Sequence, residues 1–350
     1  MKKFKFLSIV LALLVATALT LTACNNPEQA TTSVNWQDGD EQYYDVSLYT
    51  YGKPGNVTAY GDFNFIHDYQ VFSDESKFDQ IKPDAVSGQY HTLVTVDGAN
   101  ATYSTELTVE ETFNSDNAYF ATVEAFYNAN SAELDGSQKT DDAIKLKSVV
   151  KTSVTFVNTA SQTPVSSRKE TSGFYVGKAN CNVDKSVVTC TYGEKSAVVT
   201  TNGASKTVDI AAGTLDALQI PLLVLGLDKS QSTGQKYVAP SFTFFDIATA
   251  KVATATLAVF CNEKAVLSGL DADFPYSVVT TATVRVAQSG YAYIFMCNPN
   301  SARATGKSTG PEKTYDIVHF QSGYYSFEVD SSYYTQEHKE QLQYKAPSGN

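Results

Sequence analysis

The sequence is short of histidine, of positive charge and of long apolar runs, and each shortage closes a class of function. Four histidines, one tryptophan and two methionines stand among 350 residues. His67, His91, His319 and His338 are scattered with no His-Glu-x-x-His run, so no ligand set for zinc hydrolysis is present. Against 37 acidic residues there are only 26 Lys and Arg, a net charge of −11. Phosphate backbones need clustered cations, so no nucleic-acid partner is expected, and the same balance argues against a polybasic membrane patch. Charged residues make up 18%, below the usual quarter, while Tyr (22) and Phe (19) are plentiful, which excludes a disordered acidic tail.

The one long apolar run is at the amino terminus. Lys2, Lys3 and Lys5 precede an apolar or small stretch from Leu7 to Leu21, closed by Leu21-Thr22-Ala23-Cys24. A basic flank, a run short for a membrane span and a small-residue end together read as a secretory signal over residues 1–23. The closing tetrad resembles the lipobox of the bacterial lipoprotein class: Leu, a small residue, Ala or Gly, then Cys. That resemblance implies that Cys24 carries diacylglycerol on its sulfur and becomes the first mature residue. It makes a membrane the partner of this end and places the folded part outside the cytoplasm. Two or more acyl chains hold such an attachment stably. Loss of residues 1–23 removes three lysines and no acid, so the mature chain is more acidic still. Residues 24–36 read as a flexible tether, whose Asn25 to Asn35 part reaches at most about 40 Å.

Four cysteines remain, in a compartment where disulfides persist, and they allow three pairings. A hairpin turn between Lys185 and Ser186 would set Cys181 opposite Cys190. Cys261 and Cys297 each end an apolar strand, but in a simple meander the strand Tyr276–Ala287 would separate them. Buried free thiols are the alternative for both pairs. None of the spacings is that of a zinc ribbon or a Cys-x-x-Cys redox site.

Period-two alternation dominates the remainder and predicts a mainly β fold: long antiparallel curved sheets, as a half-barrel or as double β-rich layers. Tyr103, Thr105, Leu107, Val109, Glu111 and Phe113 alternate, as do Leu146, Ser148, Val150, Thr152, Val154 and Phe156. Further strands are expected at 43–51, 58–66, 89–96, 119–127, 187–192, 197–201, 242–245, 252–260, 278–286, 291–296, 315–320 and 324–329. Two helices are expected. Asp74 to Ile81 is capped by Ser73 with Pro83 beyond its end. Leu215 to Leu227 follows Thr214 and is apolar nearly all round, with Pro221 set to kink it or split it. Either it plugs the sheet as core, or Leu218, Leu222, Leu223 and Leu225 line an apolar ligand cavity beneath a lid. The body, residues 37–345, is read as one unit or as two halves, 37–212 and 213–345.

Catalytic motifs fail on inspection, so no enzyme activity, cofactor or metal is expected. Gly306-Lys307-Ser308 ends like a phosphate-binding loop, yet Ser301 stands where its first glycine belongs. Ser166-Ser167-Arg168-Lys169 and Ser115-Asp116-Asn117 match two β-lactamase elements in the wrong order, with no Lys-Thr-Gly, and Pro164 and the serines favour a loop there. Asp38, Asp40 and Asp45 lack the spacing of a calcium loop and read as a solvated turn. Two functions remain: a binding module for an apolar or amphipathic, lipid-like ligand, or a surface protein contacting glycans or proteins through exposed aromatics such as Tyr43-Tyr44, Tyr324-Tyr325 and Tyr333-Tyr334. The order of long strands, buried helix and terminal strands is similar to the open half-barrels of bacterial lipoprotein carriers, at the level of fold alone.

Overall fold

A computed structural model describes residues 36, 38–48, 81–176, 181–225, 236–238, 241–262, 279–286, 292–297, 317–322 and 324–329. The expected strand 58–66, most of the expected helix 74–81 and Cys24 lie outside them. Within them the chain is mainly β. The strands are β1 (Asp40–Leu48), β2 (Ala85–Asp97), β3 (Asn100–Asn114), β4 (Gln138–Lys139), β5 (Ala143–Val157), β6 (Pro164–Val176), β7 (Cys181–Tyr192), β8 (Ser196–Thr201) and β9 (Ala204–Asp209). They continue with β10 (Leu215–Asp216), β11 (Lys236–Val238), β12 (Phe242–Asp246), β13 (Lys251–Asn262), β14 (Val279–Val286), β15 (Ala292–Cys297), β16 (Ile317–Ser322) and β17 (Tyr325–Val329). The helices are α1 (Phe120–Asn130), a 3-10 turn (Ala217–Gln219) and α2 (Ile220–Leu225).

All the strands belong to one sheet. Across it run β9, β8, β7, β6, β5, β3, β2, β1, β17, β16, β15, β14, β13 and β12, antiparallel throughout. β4 continues the line of β6 along β5, β11 lies end to end with β12 along β13, and β10 joins β12 in parallel. β1 is the join, because it pairs with β2 on one side and β17 on the other. The described strands before residue 213 and those after it therefore lie in one sheet, and the central core draws Tyr44, Val94 and Phe156 from the first set and Leu222, Phe295 and Phe327 from the second.

Alternation fixes which side chains enter that core. On β3 and β5 the inward positions Tyr103, Val109 and Phe113 face Val154, Ser148 and Ile144 in register, all buried. An aromatic group, Tyr44, Tyr90, Phe320 and Phe327, fills the middle, with Phe320 stacked on Phe327 at 4.1 Å and 4°. A sheet this long must coil, and two glycines mark where strands come too close for a side chain. A Cβ at Gly88 on β2 would lie 2.2 Å from the Thr108 carbonyl oxygen, and one at Gly173 on β6 would lie 2.4 Å from Ser148 Cβ. Coiling brings the two ends of the sheet together: Val188, Cys190, Ala197 and Val199 of β7 and β8 pack against Phe245 of β12. Packing replaces a hydrogen-bonded ladder there, and the sheet is not closed.

Three expectations are corrected. Tyr119–Tyr127 is not a strand but the body of α1, because Phe120, Val123, Phe126 and Tyr127 fall on one helical stripe that covers Phe113, Ile144 and Phe174. Residues 164–169 are not a loop but the start of β6, where Pro164 takes the first position, the one place a ladder tolerates a missing N–H. The helix expected from Leu215 begins later. Leu215 and Asp216 extend as β10, and Asp216, not Thr214, caps the 3-10 turn: its Oδ1 accepts from Leu218 N at 2.8 Å while Asp216 N donates to Gln219 Oε1 at 2.9 Å. Pro221 then sits in the first turn of α2, where its absent N–H costs nothing.

Candidate functional site

The outward residues of β2, β3, β5 and β6 form two adjacent rows. One reads His91, Glu106, Lys151, Glu170, and the other Leu93, Ser104, Ser153, Arg168. Each neighbour in a row sits directly across a ladder, about 4.8 Å from the next. The two serines in the centre are short and the surrounding side chains are long, so the face dips there into a groove of about 370 Å³. Its walls are ion pairs: Lys151 Nζ to Glu106 Oε1 at 3.2 Å and Arg168 Nη2 to Glu170 Oε2 at 2.9 Å. All four side chains are about half exposed, so the pairs position the groups more than they stabilise the fold. At the β1 margin the Tyr43 ring stacks on His91 at 4.2 Å and 14°, and His91 Nε2 lies 3.5 Å from Glu41 Oε2.

Two further polar pairs lie inside. The Tyr325 hydroxyl donates to Glu111 Oε1 at 2.6 Å, and burial lifts the Glu111 carboxyl to about 7. The Tyr192 hydroxyl donates to Asp216 Oδ2 at 2.5 Å, and burial raises the pKa of both groups. With the cap to Leu218 and a bond from Gln219 Nε2 to the Gln162 carbonyl at 2.7 Å, this second pair pins the 3-10 turn to β7 and to the β5–β6 turn.

The structure brings Leu218, Leu222, Leu223 and Leu225 together, but as filling. Leu222 is 0% and Leu225 4% exposed within the central core, and Leu218 and Leu223 pack against it. Cys181 and Cys190 are not opposed on a hairpin: both lie on the single strand β7, nine residues apart, and both are free thiols. That separation is roughly 30 Å, far beyond disulfide reach. Thr280 of β14 pairs with Cys261 on one side and Cys297 on the other, which leaves about 9–10 Å between their backbones, too far for a bridge.

Ser166 and Lys169 are three apart on β6 and so point to opposite faces, which dissolves the β-lactamase resemblance. Asp38 accepts from Val96 N at 3.0 Å as a turn residue, and among the described residues no group of three His, Cys, Asp or Glu could hold a metal. His67, His338, Gly306 to Ser308 and the Tyr333-Tyr334 doublet lie outside the described residues. Of the other doublets, Tyr44 and Tyr324 are buried, Tyr43 rests on His91 and Tyr325 bonds Glu111. Among the described residues Tyr119, at 44%, is the aromatic that stands exposed.

Of the groove residues, the sequence drew attention to His91 as one of four scattered histidines, to Arg168 within a failed β-lactamase motif, and to Thr105 and Thr152 as strand positions, none of them as part of a binding site. Each residue of the two rows is an ordinary outward position on an alternating strand, and only the register of four strands shows that they meet.

No family model and no curated protein matches the sequence. Among solved structures, the chain is similar to a β-barrel-like protein of the domain-of-unknown-function family DUF1849 from Brucella abortus, at 12% identity and a TM-score of 0.39, over 83% of this chain and 94% of that one. It is also similar to a DUF1089 family protein from Pseudomonas aeruginosa, at 8% identity and a TM-score of 0.27, over 67% and 89%.

Proposed function

We propose that the chain is a membrane-anchored extracytoplasmic binding protein without catalytic activity, whose ligand sits in the groove over β2, β3, β5 and β6. The groove itself carries this reading. Its volume of about 370 Å³ lies at the small end of the range for small-molecule sites, about 300–1,000 Å³, and it is lined by donors and acceptors held by ion pairs. Among the described residues Leu222 and Leu225 pack into the central core, so a guest under α2 would have to displace them, which favours this outer face. The Leu21-Thr22-Ala23-Cys24 lipobox supports the anchor, with a lipid on Cys24 and the body facing outward.

Thermal-shift screening of the full chain against a chemically mixed small-molecule panel tests the binding reading, with Ser153→Trp as the control that fills the groove floor. One ligand class is expected to raise the melting temperature of the wild type and not of the variant. A panel that stabilises neither protein, or both equally, would overturn it.

A further inference from the structure

We infer that the groove takes a neutral polyhydroxylated ligand, a short oligosaccharide, in preference to an ion. This rests on the binding reading above and names its ligand class. The first ground is charge. The two carboxylates Glu106 and Glu170 stand against the two cations Lys151 and Arg168, so the walls carry no surplus of either sign. An ionic ligand gains attraction only by separating a pair, which returns the opposite charge to water. A hydroxyl meets no such conflict. It donates to a free lone pair of Glu106 or Glu170 and accepts from a free N–H of Lys151 or Arg168 while both pairs stay intact. Vicinal hydroxyls repeat that double role along a sugar edge.

The floor is the second ground. Ser104 and Ser153 face each other across the β3–β5 ladder, small enough to let a ring lie flat and able to bond from beneath. The third is the apolar patch that sugar C–H faces require. Leu93 continues the serine row on β2, beside the His91 ring, which Tyr43 holds in place by stacking. Paired charges, a hydroxyl floor and one flanking apolar surface together match an uncharged pyranose better than a phosphate or an amine.

Calorimetric titration of the full chain tests this with maltotetraose, cellotetraose, mannotetraose and N-acetylchitotetraose as neutral probes, and with inorganic phosphate, spermidine and tetragalacturonate as charged ones. At least one neutral probe is expected to bind, with affinity changing less than about twofold between 50 and 500 mM NaCl, because no net charge is neutralised. Ser153→Trp and Ser104→Trp fill the same floor from neighbouring strands and are each expected to abolish binding with an unchanged melting temperature. Glu106→Gln is expected to weaken it about tenfold, the weight of one to two hydrogen bonds. Binding of a charged probe alone, or a steep salt dependence, would overturn the ligand class and leave the binding reading standing. Neutral-probe binding that survives both tryptophan variants would move the site elsewhere. If no probe of either kind binds, the class inference fails, and the mixed panel then decides the binding reading by itself.

Discussion

Glu111 on β3 and Tyr325 on β17 are separated in the sheet by β2 and β1, yet the Tyr325 hydroxyl reaches Glu111 Oε1 at 2.6 Å across the interior. The sheet coils far enough to face itself, and this bond spans the coil. Among the described residues no cation pairs with the carboxylate there, and burial moves its pKa from the ordinary 4.5 to about 7.

Such a raised acid makes stability fall as pH rises. The protonated form is favoured in the folded state, so Glu111 has its full stabilising effect below pH 4.5 and loses it progressively up to about pH 7. The loss amounts to about 3 kcal/mol across that window. Denaturant unfolding of wild type and Glu111→Gln between pH 4 and 8 measures it as a difference. The gap is expected to widen in favour of the variant from pH 4.5 to 7 and then level. Parallel curves would mean that Glu111 ionises in the folded protein as it does in water.

Gly88 should tolerate no side chain. A Cβ 2.2 Å from the Thr108 carbonyl and 2.9 Å from the Val109 Cα meets backbone, which cannot swing aside as a side-chain tip can. Gly88→Ala is expected to cost about 1–3 kcal/mol, typical of overpacking. Gly98→Ala is the comparison: its Cβ meets nothing within 4 Å, but its positive φ of 59° gives it a smaller, purely conformational cost. Equal melting temperatures for wild type and Gly88→Ala would show that β2 and β3 sit farther apart.

The helix after β10 offers a direct contrast between plug and lid. Leu222 is fully buried while Leu223, its neighbour, is only partly so. Leu222→Ala should destabilise by about 2–5 kcal/mol, the cost of a core cavity. Leu223→Ala should cost clearly less. Chemical denaturation that finds both changes mild would restore the picture of a loose cover over empty space.

The thiols of Cys181 and Cys190 should alkylate as free groups after denaturation without reductant, and peptide mapping should find no link between them. In the folded protein Cys190 should react far more slowly than Cys181, since it is buried and its pKa is pushed up to about 11 by that burial. A disulfide-linked peptide joining the two would contradict the single strand that carries both.

Period two in the sequence was enough to locate the long strands to within a few residues: Tyr103–Phe113 was expected where β3 runs from Asn100 to Asn114, and Leu146–Phe156 where β5 runs from Ala143 to Val157. It failed where two periods coincide, as in α1, where Tyr119, Ala121, Val123, Ala125 and Tyr127 alternate while Phe120, Val123, Phe126 and Tyr127 form the helical stripe. It failed also in β6, where Pro164 and the serines carry no β signal of their own. There the strand exists because β5 and β7 offer ladders on both sides.

By itself, then, the order of residues determined an acidic chain, a mainly β architecture and an apolar segment near Leu222 that had to be buried, because composition and alternation are local properties. Only the folded chain decided that both cysteines of β7 share one strand, that Leu222 and Leu225 of α2 pack into the central core, and that His91, Glu106, Lys151 and Glu170 form one row. Register joins residues far apart in sequence through backbone hydrogen bonds that are alike at every position, so no local pattern reveals which side chains will face each other.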